Sequence, residues 1–142
     1  MANDFEALRE WAMNYVKNQD IIHKKLKFIK KKGSGFLAEY DDKRRNFIIK
    51  PQIKELKGLT EKDFISLILF NTKQNFNFVI KKWNELIKYE KLSVFFVNLN
   101  NNERWVLHPF THNKVCNSKK LKNGLITLFD SIGKYKGSTD KT

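Results

Sequence analysis

Two carboxylates and a lysine flank a charged turn in the stretch GFLAEYDDKRRNFIIKPQI, residues 35–53. Apolar and polar residues alternate on both sides of the turn, which predicts a hairpin whose strands cover residues 36–41 and 47–53. Successive side chains point to opposite faces of a strand. In the register that pairs Asp41 with Asn46, one face of the hairpin therefore carries Glu39, Asp41, Lys50 and Gln52.

These groups suit phosphodiester hydrolysis that depends on a metal ion. A hard cation such as Mg²⁺ or Mn²⁺ prefers oxygen ligands, and a lysine stabilises the negative charge that develops during the reaction. Glu39, Asp41 and Lys50 are accordingly the candidate catalytic residues. The alternative interpretation is an ion pair across the hairpin on a solvated face, because such exposed pairs are common and individually weak. Under that interpretation no cofactor is required.

Rings, imidazoles and a cation cluster in a second stretch, RWVLHPFTHNKVCN, residues 104–117. Single-stranded nucleic acid binds segments of this kind because any base stacks on an aromatic ring while a cation meets the phosphate. The alternative is that Trp105 and Phe110 belong to the core and that Pro109 ends a strand, since aromatic residues often supply burial alone. Under the binding interpretation the contacts come from Trp105, His108, Phe110, His112, Asn113 and Lys114.

The same stretch holds three residues of the types that bind zinc. His108, His112 and Cys116 are four residues apart, a spacing that suits one face of a helix. Pro109 argues against a continuous helix there, and the sequence shows no fourth ligand, so no metal site is predicted. Cys116 is the only cysteine, which excludes an internal disulfide and fits a reducing compartment.

Positive charge is concentrated in one quarter of the chain. The 142 residues carry a net charge of +13, and residues 23–57 hold twelve Lys or Arg against four Asp or Glu. A concentrated basic field attracts polyanions, so nucleic acid is the expected partner, ahead of an anionic membrane surface. A lysine-rich surface that only promotes solubility is the alternative. The predicted nucleic-acid-binding residues are Lys30, Lys31, Lys32, Lys43, Arg44, Arg45, Trp105, His108, His112 and Lys114.

The hydrophobic pattern predicts the elements that position these residues. Helical spacing runs from about Asn3 to residue 18, from a cap at Asn71 or Thr72 to about residue 90, and onward from Ser118. Besides the hairpin, a short exposed strand is predicted within KKLKFIKKKGSG, where an extended basic arm is the alternative, and strands are predicted at residues 64–70, 92–100 and 104–108. This pattern predicts an α+β fold with a single mixed sheet of about five to six strands flanked by three helices. One domain is expected over residues 1–134, with a disordered tail at residues 135–142.

A leading helix, strands that include a hairpin ending in lysine, and then a helix and a strand give the order αβββαβ with additions. This order resembles the core of the restriction-endonuclease-like superfamily, and the segment NFNFVIKKWNELIKYEKLSVFFVN followed by RWVLHPFTH is similar to uncharacterised archaeal and bacterial members. The resemblance implies an Asp in one strand and a Glu-x-Lys on the next. Lys50 matches that lysine, but Ile48 stands where the Glu belongs and Gly35 about where the Asp belongs. The absence of both carboxylates has three explanations. The chain is a degenerate member that has lost catalysis, or a member in which Glu39 and Asp41 have taken over as metal ligands, or the resemblance is false.

Together these patterns predict a nucleic-acid-binding domain of nuclease-like fold that lacks intact catalytic carboxylates. Two alternatives stay open. One is an active metal-dependent nuclease that uses Glu39, Asp41 and Lys50; the other is a protein-interaction or scaffold domain whose positive surface recognises an acidic protein. No apolar run approaches the roughly 18 residues that span a bilayer, and no signal peptide is evident, so a cytoplasmic protein is expected. The choice between DNA and RNA stays open, as does the oligomeric state, a dimer included.

Overall fold

A computed structural model describes residues 2–115 and 118–136 of the chain. These residues form an α+β domain with one mixed six-stranded sheet, which confirms the predicted fold class. The helices are α1 (Ala2–Gln19), α2 (Lys73–Lys81), α3 (Trp83–Leu86), α4 (Pro109–Val115) and α5 (Ser118–Ser131). The strands are β1 (Leu26–Lys32), β2 (Gly35–Tyr40), β3 (Arg44–Ile49), β4 (Phe64–Phe70), β5 (Leu92–Asn98) and β6 (Glu103–Leu107).

The strands lie in the sheet in the order in which they occur along the chain. The pairs β1–β2, β2–β3 and β5–β6 are antiparallel, whereas β3–β4 and β4–β5 are parallel. The central strands β4 and β5 read FISLILF and LSVFFVN, and their residues are buried except Phe64 at the start of β4. Both strands are covered on both faces, which is why their sequences are continuous apolar runs rather than alternating ones.

Helices cover the sheet on both faces. On one face, hereafter the α1 face, Leu8, Ala12 and Val16 of α1 pack with buried residues of β2 to β5 such as Phe47 and Ile68. On the opposite face, α2 and α5 pack on β4, β5 and β6, with Phe76, Val79, Leu125 and Phe129 among the buried residues. The apolar stripe that predicted each helix is the stripe that it buries.

The observed helices differ from the predicted ones in two respects. Thr72 caps α2, as one of the two predicted caps, and its hydroxyl accepts a hydrogen bond from the backbone N–H of Asn75. The long predicted helix is divided into α2 and α3. An additional helix, α4, begins at Pro109. Proline is tolerated at the first position of a helix because its missing N–H would have no partner there. Five helices therefore replace the three expected.

Buried asparagines fill the end of the sheet where the parallel strands finish. Asn71 follows β4; its amide donates to the carbonyls of Phe129 and Gly133, and its oxygen accepts from the Trp105 indole at 2.9 Å. Asn98 at the end of β5 also donates to the Gly133 carbonyl. This end of the sheet is consequently closed by the chain that follows α5.

The packed domain extends past its predicted boundary at residue 134. The ring of Tyr135 stacks on Phe70, with 3.8 Å between ring centroids, and its backbone N–H donates to the carbonyl of Asn71. Assigning residues 135 and 136 to the tail was therefore wrong, and the rest of the predicted tail lies outside the described residues. In the part of the chain that is described, no helix is long and apolar enough to cross a membrane.

Candidate functional site

The observed hairpin register differs from the predicted one. Glu39 pairs with Arg44, Leu37 with Asn46, and Gly35 with Ile48. The turn contains only residues 41–43, so the strand that follows begins at Arg44 instead of near residue 47. The shorter turn moves every cross-strand pair, and Glu39 faces Arg44, with 3.8 Å between the carboxylate and Nε.

This register separates the three predicted catalytic residues. Glu39 lies beside the turn, whereas Lys50 lies beyond the far end of β3. Lys50 lies six residue steps along the chain from Arg44, roughly 20 Å at about 3.3 Å per residue. The predicted proximity of Glu39, Asp41 and Lys50 is therefore wrong. Among residues 2–115 and 118–136 no group of three or more His, Cys, Asp or Glu side chains could hold a metal ion.

The positions that the resemblance matched to the superfamily motif lie close together but carry no carboxylate. Gly35 and Ile48 are direct cross-strand partners, and Lys50 follows two residues later. A Cβ atom at position 35 would overlap the carbonyl oxygen of Phe47. An aspartate at Gly35 would thus require the strands β2 and β3 to move apart.

A cleft opens on the α1 face at the other end of the sheet, where β3, β4 and β5 begin and where β2 and β6 finish. Four polar residues, hereafter the polar row, cross its floor on adjacent strands in the midst of apolar neighbours. Ser66 and Ser93 are direct partners across β4 and β5, and Val94 pairs with Leu107, which brings His108 beside Ser93. The polar row consists of Arg45, Ser66, Ser93 and His108.

Hydrogen bonds join the polar row in two pairs. Arg45 donates from Nη1 to the hydroxyl of Ser66 at 3.2 Å, and the Ser93 hydroxyl lies 3.1 Å from Nδ1 of His108. Ser66 is fully buried and Ser93 is 6% exposed, so the two hydroxyls lie below the cleft surface and orient the side chains of Arg45 and His108. Arg45 and His108 are the members of the row that reach the open space of the cleft.

The cleft has the size of a small-molecule site and a largely aromatic wall. Its volume is about 510 Å³, within the range of roughly 300–1,000 Å³ that is usual for ligand sites. Lys25 and Lys43 add positive charge to the lining, and Asp20 and Asp42 add negative charge. The Asp20 carboxylate accepts hydrogen bonds from the backbone N–H groups of residues 25 and 26. The apolar lining comprises Tyr15, Val16, Tyr40, Phe47, Phe95 and Val106.

Three cations lie close to one aromatic ring, and two of them, Lys43 and Arg45, also line the cleft. Lys43, Arg45 and Lys91 lie 5.6, 5.2 and 5.0 Å from the ring centroid of Phe64. We refer to these four residues as the Phe64 cluster. Within the described chain, none of the three cations lies within 4.0 Å of a carboxylate. Cation–π contacts offset only part of the repulsion between like charges, so the cluster is a strongly positive surface.

Burial changes the proton affinity of the groups around the cleft. Desolvation lowers the pKa of Arg45 and raises the pKa of Tyr40, whose phenol stays neutral. The pKa of His108 is lowered by desolvation first, and then by the nearby His112 and Arg45. A partly buried guanidinium without a carboxylate is unfavourable unless an anion approaches it, and perturbed groups in a cleft are typical of binding sites.

The structure brings some of the predicted binding residues together and separates others. Lys43, Arg45 and His108 meet at the cleft, and the His112 ring lies 6.0 Å from that of His108. The others lie elsewhere: Lys30, Lys31 and Lys32 at the far end of β1, Arg44 beside Glu39, and Lys114 over the Phe110 ring.

Trp105 is a core residue. It is 5% exposed, lies on the sheet face opposite the cleft, and stacks on Phe96 with ring centroids 4.3 Å apart. It is therefore not available to stack on a base, and the core interpretation of this tryptophan holds.

The two histidines also have a structural role that the zinc interpretation did not include. The backbone N–H of His108 donates to Nδ1 of His112 at 3.0 Å, across the first turn of the helix that begins at Pro109. Cys116, the third residue of that interpretation, lies outside the described residues.

Sequence reasoning missed Tyr40, Ser66 and Ser93 of the cleft, and Phe64 and Lys91 of the Phe64 cluster. The sequence nevertheless holds a signal for both serines. Ser66 and Ser93 interrupt the two most apolar strands near their starts, where a buried hydroxyl needs a partner.

Comparison with known proteins gives no relative to which this site could be compared. No protein-family model, no curated protein and no solved structure matches the chain.

Proposed function

We propose that this protein binds nucleic acid, with the phosphate backbone held at the Phe64 cluster. One observation carries the proposal: Lys43, Arg45 and Lys91 all lie within 5.6 Å of the Phe64 ring centroid, and no carboxylate of the described chain lies within 4.0 Å of any of them. A phosphate placed there would relieve the repulsion among the three cations and release the counterions that otherwise neutralise each partner.

The charge of the whole chain favours a polyanion over a single small anion. A net charge of +13 exceeds what one phosphate neutralises. Residues 23–57 alone hold twelve basic residues against four acidic ones. That segment includes Lys25, Lys43 and Arg45 of the cleft. A long-range positive field speeds the encounter with a polyanion, and the converging cations then fix its position.

The aromatic cleft beside the Phe64 cluster favours single-stranded over double-stranded nucleic acid. A duplex hides its base faces, whereas an unpaired base can reach an aromatic surface. The resemblance of the element order to restriction-endonuclease-like proteins agrees with a nucleic-acid partner. The nuclease alternative loses support, because the carboxylates and the lysine on which it rests lie far apart.

The experiment is a binding series with single- and double-stranded DNA and RNA at several salt concentrations, with and without Mg²⁺. The test variant is the triple change Lys43→Ala, Arg45→Ala, Lys91→Ala. The matched control is Lys30→Ala, Lys31→Ala, Lys32→Ala, which removes the same charge at the opposite end of the sheet. Circular dichroism and thermal unfolding check that both variants are folded.

We expect the test variant to lose affinity and to flatten the plot of log affinity against log salt by roughly 2 units, since each phosphate contact on a single strand contributes about 0.7. The control should change the slope by less than half as much. Equal losses in the two variants would show a diffuse attraction without a site. Failure of the unmodified protein to bind any nucleic acid at low salt would remove the proposal and favour an acidic protein as the partner.

A further inference from the structure

We propose that the cleft is a site for one nucleotide unit, in which the phosphate meets Arg45 and the base lies against the ring of Tyr40. This inference deepens the proposed function and rests on it, because it assigns the cleft beside the Phe64 cluster to a single nucleotide of the bound strand. A free nucleoside monophosphate should occupy the same site.

Arg45 supplies the anion-binding end. Ser66 accepts one hydrogen bond from Nη1 and so fixes the plane of the guanidinium. The remaining donors have no carboxylate partner in the described chain, and a planar fork of donors matches two oxygens of a phosphate. Lys43 at the rim and His108 at the other end of the polar row add donors to the same space.

Tyr40 supplies the stacking surface for the base. The neighbouring Tyr15 is already engaged: Trp11 stacks on it with 5.3 Å between ring centroids, and the Arg104 guanidinium lies 4.9 Å from the ring centroid. Tyr40 is partly exposed and, among the described residues, stacks on no other ring. Its one cation–π contact is with Lys43, at 5.6 Å.

The cleft combines two surfaces that a phosphate alone or a base alone would not use together. An inorganic phosphate leaves the aromatic and aliphatic wall in contact with water, and an uncharged nucleoside leaves Arg45 without an anion. A ligand with both parts satisfies each surface, and its two contributions combine in one binding event. The volume of about 510 Å³ accommodates one such unit and not a stretch of strand.

Calorimetric titration with uridine 5′-monophosphate, uridine and inorganic phosphate tests the inference at low salt. Adenosine 5′-monophosphate serves as a second probe, since stacking tolerates any base. We expect each monophosphate to bind at least about tenfold more tightly than uridine or phosphate, as one charge-assisted contact contributes about a factor of ten. Each monophosphate should also displace a short single-stranded oligonucleotide that the protein has bound.

Two single variants locate the ligand in the cleft. Arg45→Gln should weaken monophosphate binding by about tenfold or more. Tyr40→Leu should weaken it by about fivefold or more, because stacking on an aromatic ring is lost while the apolar wall is kept. Arg44→Gln is the matched control for Arg45→Gln, because Arg44 is the preceding residue of β3 and pairs with Glu39. Arg45→Lys is the second variant if the first is unfolded; it keeps the charge but loses the planar fork.

Three outcomes would overturn the inference. Monophosphate binding no tighter than phosphate binding would identify a simple anion site. Equal effects of Arg44→Gln and Arg45→Gln would place the ligand outside the cleft. Oligonucleotide binding that depends on the Phe64 cluster, together with no monophosphate binding, would leave the proposed function standing and remove the nucleotide site alone.

Discussion

The hydroxyl of Ser93 lies 3.1 Å from Nδ1 of His108, so one edge of the cleft joins β5 to the residue that follows β6. A neutral imidazole can accept this hydrogen bond from the serine, and the lowered pKa of His108 favours the neutral form. Protonation of Nδ1 would turn this nitrogen into a donor and change the pairing. Both the stability of the fold and the charge of the cleft therefore depend on the proton carried by His108.

Stability should decrease as pH falls below the ordinary histidine pKa of 6.5, because His108 has a lower pKa in the folded protein. Below 6.5 the unfolded chain takes up this proton more readily than the folded protein. The loss should continue down to the folded pKa and then level off. Urea unfolding from pH 7.5 to pH 5 measures it. His108→Gln should make the loss of stability at low pH smaller. A loss of unchanged size in this variant would show that other groups cause it. His23→Gln, a change at an exposed histidine, is the control.

Nucleic-acid affinity should increase as pH falls and His108 takes up a proton, since protonated His108 adds a cation beside the bound phosphate. A bound anion favours this protonated form, so the pKa of His108 should rise when the ligand is present. Affinity measured from pH 8 to pH 5.5 at constant ionic strength checks this for the unmodified protein and for His108→Gln with His112→Gln. The same pH dependence in both proteins would exclude the two histidines from the binding surface.

Replacement of Arg45 by methionine should separate stability from binding. The change removes a partly buried cation that has no carboxylate partner in the described chain, and it keeps most of the side-chain volume. The change also leaves the buried hydroxyl of Ser66 without its Arg45 donor, which offsets the benefit of removing the cation. We therefore expect the free energy of unfolding to change by no more than about 1 kcal/mol in either direction, while affinity for single strands falls. Urea unfolding and a binding titration measure the two effects. A loss of stability greater than about 1 kcal/mol would make Arg45 a structural residue.

Two glycines should respond to alanine in opposite directions. Gly35→Ala should destabilise the fold by about 3 kcal/mol or more, because the added Cβ would overlap the carbonyl oxygen of Phe47 on the adjacent strand. Gly124→Ala, inside α5, meets no atom within 4 Å and should stabilise by about 0.5–1 kcal/mol through helix propensity. Denaturant unfolding of both variants provides the comparison. A small effect at Gly35 would show that β2 and β3 can separate and that a larger side chain fits there.

Asn71→Ala should cost about 3 kcal/mol of stability, because the buried Trp105 indole and the Phe129 carbonyl lose the side chain that pairs with them, and the Gly133 carbonyl loses one of its two asparagine donors. The matched control is Asn77→Ala on the exposed side of α2, where the change should be within about 0.5 kcal/mol. Thermal unfolding checks both. Nucleic-acid affinity of the folded fraction should not change, as Asn71 lies at the opposite end of the sheet from the cleft; a selective loss of affinity would place the ligand near Asn71 instead.

The sequence by itself determined most elements of this protein, although not α4 or the start of β3. Apolar residues at helical spacing predicted α1 and α5, the Thr72 cap marked the start of α2, and the continuous apolar runs of β4 and β5 predicted buried strands. Local periodicity suffices here because the spacing of apolar residues along an element shows which of its sides faces the core.

Only the tertiary structure decided which residues meet. The hairpin register depended on whether the turn holds three residues or more, and that small difference separated Glu39 from Lys50 and moved Arg45 into a strand. The polar row joins residues 45, 66, 93 and 108, which come from four segments that have no local signal in common. Strand pairing over such distances is set by the packing of the whole sheet, because each backbone group must find a partner and each apolar face must be covered.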